Sequence, residues 1–306
     1  MDEQAFKTRL AESATATERE LEDLLAIEPK AGEMARPRRL IEAMRYAALG
    51  GGKRLRPFLV IETARALGGA GEGPVRVGAA IECVHAYSLI HDDLPAMDDD
   101  DIRRGRPTTH RAFDEATAIL AGDALQTLAF EILADPRTDP SAETRAALCA
   151  GLARASGLAG MVGGQMFDIA AETAAAPLSF DEIARLQAMK TGALLGFCVE
   201  AGALLAGASA AACGALGAYG RAIGAAFQIA DDVLDAEGDT ATLGKRAGKD
   251  AGRGKATFVA AVGLDGARRE LARLVDQAKA AVDASGVGEA GDVLRAAADF
   301  VAARKS

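Results

Sequence analysis

The chain has 306 residues, a net charge of −9 and a pI near 5.0, and half of it is hydrophobic although only 4% is aromatic and there is no Trp. Its core must therefore be built from Ala, Leu, Ile and Val. With no Pro/Ser-rich linker or composition shift, residues 1–306 are expected to form one domain. The acidic balance and the lack of a basic stripe exclude an ordinary nucleic-acid-binding surface. Four cysteines (Cys83, Cys149, Cys198, Cys213), none in C-x-x-C spacing, read as reduced core residues of a cytoplasmic protein.

Strand patterns are nearly absent, and apolar spacing of three and four recurs from end to end, with Ala and Leu supplying helix propensity. The charged N-terminus has no apolar signal core, and residues 3–27 read as an amphipathic helix ending near Pro29. Residues 36–50 make a second helix that stops at Gly50-Gly51-Gly52, and a third spans about 56–67. Residues 74–93 form a long apolar helix, followed by an arginine-rich loop and a helix over 111–134. Helices are expected over 141–160 and from a cap at Ser179 through Lys190-Thr191. Two Ala/Gly-rich helices then reach Asp235. The uncharged run Ala201–Gly220 is long enough to cross a bilayer, but its five glycines favour a buried helix broken near Gly207–Ser209. Residues 236–255 form a charged, Gly-rich loop of a length often found in lids, and two or three helices close the chain. The expectation is an all-α bundle of about 10–13 helices, a class that builds metal sites in its core from facing helices.

The chemistry concentrates at the end of the 74–93 helix. Asp92, Asp93, Asp98, Asp99, Asp100 and Asp101 fall within ten positions, and Arg103, Arg104 and Arg106 follow at once. Carboxylates this close repel one another unless cations sit between them. Hard cations such as Mg²⁺ take oxygen ligands and share them with substrate phosphates, and guanidinium groups suit phosphate oxygens. Taken alone, the stretch also fits a solvated acidic loop. A second cluster lies about 140 residues on, in FQIADDVLD, where Asp231 and Asp235 stand one turn apart on one helical face with Asp232 beside them. Its apolar flanks argue against a merely solvated face.

The two aspartate clusters, with the basic residues near them, resemble the trans-isoprenyl diphosphate synthase (polyprenyl synthetase) family over residues 40–260, and most resemble its bacterial short-chain, farnesyl-producing branch. DDLPAMD carries four residues between the acid pair and the third Asp, where the commoner form has two. The resemblance implies the isoprenoid synthase fold, a homodimer, and a Mg²⁺-dependent 1′-4 condensation of isopentenyl diphosphate with dimethylallyl and geranyl diphosphates. About three Mg²⁺ per active site are implied, with Mn²⁺ able to substitute. Asp92, Asp93, Asp98, Asp231, Asp232 and Asp235 would hold the metal, directly or through water. Lys53, Arg56, His85 and Arg104 would bind isopentenyl diphosphate, and Arg103 the allylic diphosphate. Lys190, Thr191, Gln228, Lys245 and Lys255 would act on the allylic diphosphate and the developing cation. Gln165 matches the glutamine of a GGQ segment, with Asp168 nearby. Tyr87, five residues before Asp92 and so about 7–8 Å along the helix, would floor the product cavity. Ala256 and Phe258 depart from the family pattern.

Three other readings remain at this point. A geranylgeranyl or longer-chain synthase would use the same scaffold. A terpene cyclase has no need of the Lys53/Arg56/Arg104 set. A non-catalytic regulatory subunit would be expected to lack one aspartate cluster, and both are complete.

Overall fold

A computed structural model describes residues 1–174, 176–237 and 257–303. Among them are thirteen α-helices and one minimal hairpin, which bears out the all-α expectation. The chain divides into two compact units.

The first unit comprises Lys7–Ile61 and Gly71–Cys149. It contains most of α1 (Glu3–Leu24), α2 (Arg38–Ala48), the start of α3 (Leu55–Ala66), α4 (Gly73–Asp92), the strands β1 (Ile102–Arg103) and β2 (Arg106–Pro107), α5 (Thr109–Ala112), α6 (Glu115–Ala134) and the start of α7 (Ala142–Ser156). Helix α4 is its axis. Pro74 opens it at a position where a missing N–H costs nothing, and thirteen of its twenty residues are buried. A helix apolar on every side has no solvent face to keep, so it is surrounded: α2 and α6 pack against it. Two glycines permit the close fit. A Cβ on Gly78 would fall 2.9 Å from Pro57, and one on Gly122 of α6 would overlap the His91 ring.

The expected 111–134 helix is in fact two. Short α5 ends at Phe113, and Asp114 then caps α6 by accepting the Thr117 N–H at 2.7 Å. The arginine loop folds into the β1–β2 hairpin, which the sequence did not signal. Two-residue strands are too short for any periodicity. A turn at Arg104 (φ 52°) and Gly105 (φ 72°) closes it.

The second unit comprises Met1–Phe6, Glu62–Ala70 and Ala150–Ser306. It holds α8 (Met161–Glu172), α9 (Phe180–Gln187), α10 (Ala193–Leu205), α11 (Ala210–Glu237), α12 (Phe258–Ala284) and α13 (Asp292–Ala302). The cap read at Ser179 is a complete capping box with Glu182. Between α9 and α10 the helix widens into a π-turn, Ala188–Gly192. The uncharged run 201–220 breaks where expected, with Gly207 at φ 63° between α10 and α11. Helices α10 and α11 cross on glycine. A Cβ on Gly220 would lie 3.0 Å from the Gly196 Cα, and one on Gly224 would lie 2.9 Å from the Gly192 Cα. Three helical stretches (Glu115–Ala134, Ala142–Glu172 and Phe180–Leu205) are long and apolar enough to cross a membrane by length and composition, and under half of each apolar window is buried within the chain.

Candidate active site

In the first unit the site begins where α4 ends. The C-terminal end of a helix carries partial negative charge, and here it meets a run of carboxylates. Asp93 is the cap, its N–H bonded to the Leu89 carbonyl at 3.1 Å. The four-residue spacer then folds back. The Asp98 N–H reaches the Asp92 carbonyl at 2.8 Å, Asp99 (φ 48°) reaches Leu94 at 3.1 Å, and Asp100 reaches Asp93 at 3.2 Å. The longer spacer thus returns Asp98 to Asp92 instead of carrying it away.

Asp93 is buried and gripped by Arg103, whose Nε lies 2.8 and 2.9 Å from the two carboxylate oxygens, with a further nitrogen at 2.7 Å. Burial still pushes the Asp93 carboxyl above its usual range against the pull of Arg103, and Asp100 and Asp98 push the same way. Asp101, later in the same run, pairs with Arg111. Among the described residues no three acid, His or Cys side chains form a closed metal cage. Magnesium takes one or two carboxylates and completes its shell with water and substrate phosphate, and half-buried Asp92 and Asp98 are an oxygen donor set of that kind.

Beside this cluster lies a basic wall. Arg104, at the hairpin turn, donates to the Gly51 carbonyl, and its guanidinium lies 3.0 Å from where a Gly52 Cβ would stand. The glycine loop thus admits Arg104 beside exposed Lys53. Arg56 has a buried Nε without a hydrogen-bond partner, a donor positioned for an acceptor. His85 faces the same fields: burial first, then Arg56, Arg104, Arg103 and Arg54, push it well below the usual imidazole range, so it is neutral at pH 7. Arg54, the middle cation of the run, is different. It is buried at φ 50° and turned inward, bonded to Glu82 at 2.5 Å and to the Ala48 carbonyl at 2.7 Å. It anchors the loop, while Lys53 beside it is exposed.

Tyr87 is buried on α4, its ring edge-on to His91 with centroids 5.8 Å apart. Its hydroxyl is buried near the Gln126 side chain, outside hydrogen-bonding geometry.

In the second unit Lys190 and Thr191 sit in the π-turn, a distortion common at functional positions. Lys190 Nζ lies 2.5 Å from Asp168, which is buried on α8. Gln165, one turn earlier on α8, has its carbonyl oxygen buried without a partner. Asp168 was the weaker of the two in the sequence; its signal was its place four residues after Gly164, on the α8 face that meets the turn. The Gly192–Gly224 contact sets the π-turn against α11 one turn before Gln228. Farther along α11, Asp231 and Asp235 are half-buried, whereas Asp232 is buried and accepts the Phe258 N–H at 2.7 Å. Phe258 stacks edge-on with Phe180, centroids 5.4 Å apart, so this departure from the family pattern ties α12 to α9. Lys245, Lys255 and Ala256 lie outside the described residues.

The family model for polyprenyl synthetases matches residues 37–287. The chain belongs to that family. Farnesyl diphosphate synthase of Escherichia coli (strain K12) is 53% identical to it over 242 residues, 78% of this chain and 80% of that protein. Farnesyl diphosphate synthase of Bacillus subtilis is 43% identical over 269 residues, 88% and 90% of the two chains. The crystal structure of an FPP/GFPP synthase from Zymomonas mobilis superposes with a TM-score of 0.86 at 47% identity, covering 98% of this chain and 99% of that one. For a polyprenyl synthetase, the two acidic segments and the basic wall are the parts expected to carry chemistry.

The Lys190 turn yields a direct test. A Cβ on Gly164 would lie 2.2 Å from the Lys190 backbone nitrogen and 2.5 Å from its Cα. Because backbone cannot rotate aside, Gly164→Ala is expected to destabilise the protein by about 1–3 kcal/mol, read as a lower denaturation midpoint. An unchanged midpoint would show that α8 and the turn have room to spare.

Proposed function

We infer that the protein is a prenyltransferase that condenses isopentenyl diphosphate with dimethylallyl and then geranyl diphosphate to give farnesyl diphosphate. The observation that carries this is the basic wall of Lys53, Arg56, His85 and Arg104 in addition to the aspartates Asp92 and Asp98, in a chain so similar to farnesyl diphosphate synthases. One diphosphate needs one such site, and this chain has the means to hold two.

In the reaction the C1–O bond of the allylic diphosphate breaks and its electron pair leaves with pyrophosphate. The double bond of isopentenyl diphosphate then forms the new C–C bond, and a proton from its C2 passes to the departing pyrophosphate. Mg²⁺, when bound, neutralises charge on the leaving group. Its ligands would be Asp92, Asp93 and Asp98 in the first unit and Asp231, Asp232 and Asp235 in the second, with Asp93 held by Arg103 and Asp232 by the Phe258 N–H. Arg103 and Lys190, with Lys245 and Lys255, bind the allylic diphosphate. Thr191 and Gln228 face the developing cation, and Gln165 and Asp168 position Lys190. Neutral His85 donates an N–H to isopentenyl diphosphate beside Lys53, Arg56 and Arg104. Residues 1–306 serve as one synthase domain, in the cytoplasm, and the protein is a homodimer. Exposed Ile119 and Leu120 on α6 support an association face.

Purified protein given labelled isopentenyl diphosphate and each allylic primer should make fifteen-carbon product with Mg²⁺ or Mn²⁺ and none with chelator. Asp92→Ala and Asp231→Ala should each lower kcat by about a thousandfold. Full turnover in chelator would refute the mechanism. Tyr87 should stop growth at fifteen carbons, because its buried ring lies on α4 five residues before Asp92, about 7–8 Å down the helix axis. Tyr87→Ala should shift products to twenty carbons or more, and an unchanged distribution would place the floor elsewhere. Light scattering at micromolar concentration should give twice the chain mass; a monomer would contradict the dimer.

A further inference from the structure

The arginine hairpin carries Arg103 and Arg104 but is poorly seated on its own. It has two residues per strand, two left-handed residues at its tip, and mostly exposed side chains. Beneath it is a small cleft of about 60 Å³ lined by Tyr46, Gly50, Ala86, Leu89 and Asp93 among others. Isolated hairpins of this size are not stable in water. Something must hold this one over the gap.

At β1 the Arg103–Asp93 pair does so, and at β2 helix α2 does so through one side chain. The Tyr46 hydroxyl donates to the Pro107 carbonyl at 2.8 Å, and the Arg106 guanidinium lies over the Tyr46 ring, 4.1 Å from its centroid. Both contacts grip β2. The register then transmits the hold, because Arg106 pairs with Arg103 across the hairpin and Arg104 lies in the turn between them. Farther along, Phe113 meets Tyr46 edge-on at 5.7 Å, and Arg39 of α2 covers Phe113 and pairs with Asp114. The segment from Arg106 to Asp114 is thus clasped at both ends by α2.

We propose that Tyr46, acting with Arg106, is a positioning residue that seats the arginine hairpin so that Arg104 is presented to isopentenyl diphosphate. This rests on the reading of Arg104 as a ligand of that substrate. Tyr46 touches no reacting atom. Its loss would let the hairpin sample other seats over the cleft, and apparent affinity falls in proportion to the competent fraction.

Steady-state kinetics with each substrate varied in turn test this on the full chain. Tyr46→Leu removes both contacts and should raise KM for isopentenyl diphosphate by about tenfold, equivalent to about 1.4 kcal/mol, with a much smaller change in kcat. Tyr46→Phe keeps the ring and should fall between. Arg106→Gln should raise the same KM, and combining it with Tyr46→Leu should add little, because both break one clasp. Arg38→Gln, which breaks an exposed pair with Glu42 on the same helix, serves as the neutral control. Arg104→Ala separates the two claims. If it raises this KM and Tyr46→Leu does not, the positioning role is wrong and the ligand reading stands. If Arg104→Ala leaves this KM unchanged, the ligand reading fails and the positioning role with it. A Tyr46→Leu protein that merely melts earlier, with both KM values unchanged, also overturns the proposal.

Discussion

The constraint on which the first unit depends is electrostatic. A helix buried on nearly every side delivers its negative end and several carboxylates to one place. Such an arrangement is unfavourable unless cations are supplied, and the chain supplies one, Arg103, to the most buried acid, Asp93. Removing one member of a buried pair typically costs about 3–5 kcal/mol, so this contact fixes the hairpin to the helix end. Of the remaining acids, Asp92 and Asp98 are less buried, and Asp101 pairs with Arg111. Burial thus divides near-identical aspartates into a structural one and a set fit for ligation.

The second unit solves a different problem, that of placing a cation against an apolar helix. Gly192 and Gly196 meet Gly224 and Gly220 at backbone distance. That approach brings the Lys190–Thr191 turn to α11 without a side chain intervening. Gly164 admits the same turn from the α8 side, and Asp168 holds the ammonium there. Glycine at these positions costs helix propensity of about 1 kcal/mol each, and the close contacts it allows offset that. The widened π-turn is the geometric result: a lysine and a threonine presented where a regular helix would have rotated them away.

Much of this was legible in the residues. Continuous apolar spacing marked α4 and α11, and the two aspartate clusters stood out by density. The Ser179–Glu182 box announced the start of α9 three residues ahead. What stayed hidden depends on contacts between distant segments. Asp231, Asp232 and Asp235 look equivalent in FQIADDVLD, but only the fold puts the Phe258 N–H against Asp232. Nothing in the run from Lys53 to Arg56 signals that Arg54 pairs inward with Glu82, twenty-eight residues on. The π-turn and the two-residue strands are shorter than any pattern window.

Arg54 shows how the basic wall is built. Three cations in four positions would repel one another if all faced one substrate. The chain turns the middle one through a left-handed conformation, normally the preserve of glycine, and buries it on Glu82 and the Ala48 carbonyl. Two consequences follow from that one reversal. Lys53 is exposed, and the Arg56 Nε is left in want of an acceptor. Burial first, and then the positive fields of Arg56, Arg104, Arg103 and the buried Arg54, push the His85 imidazole well below its usual range, so it adds no further charge to the wall. The charge that shapes the loop is thus already neutralised by the protein itself, through Glu82.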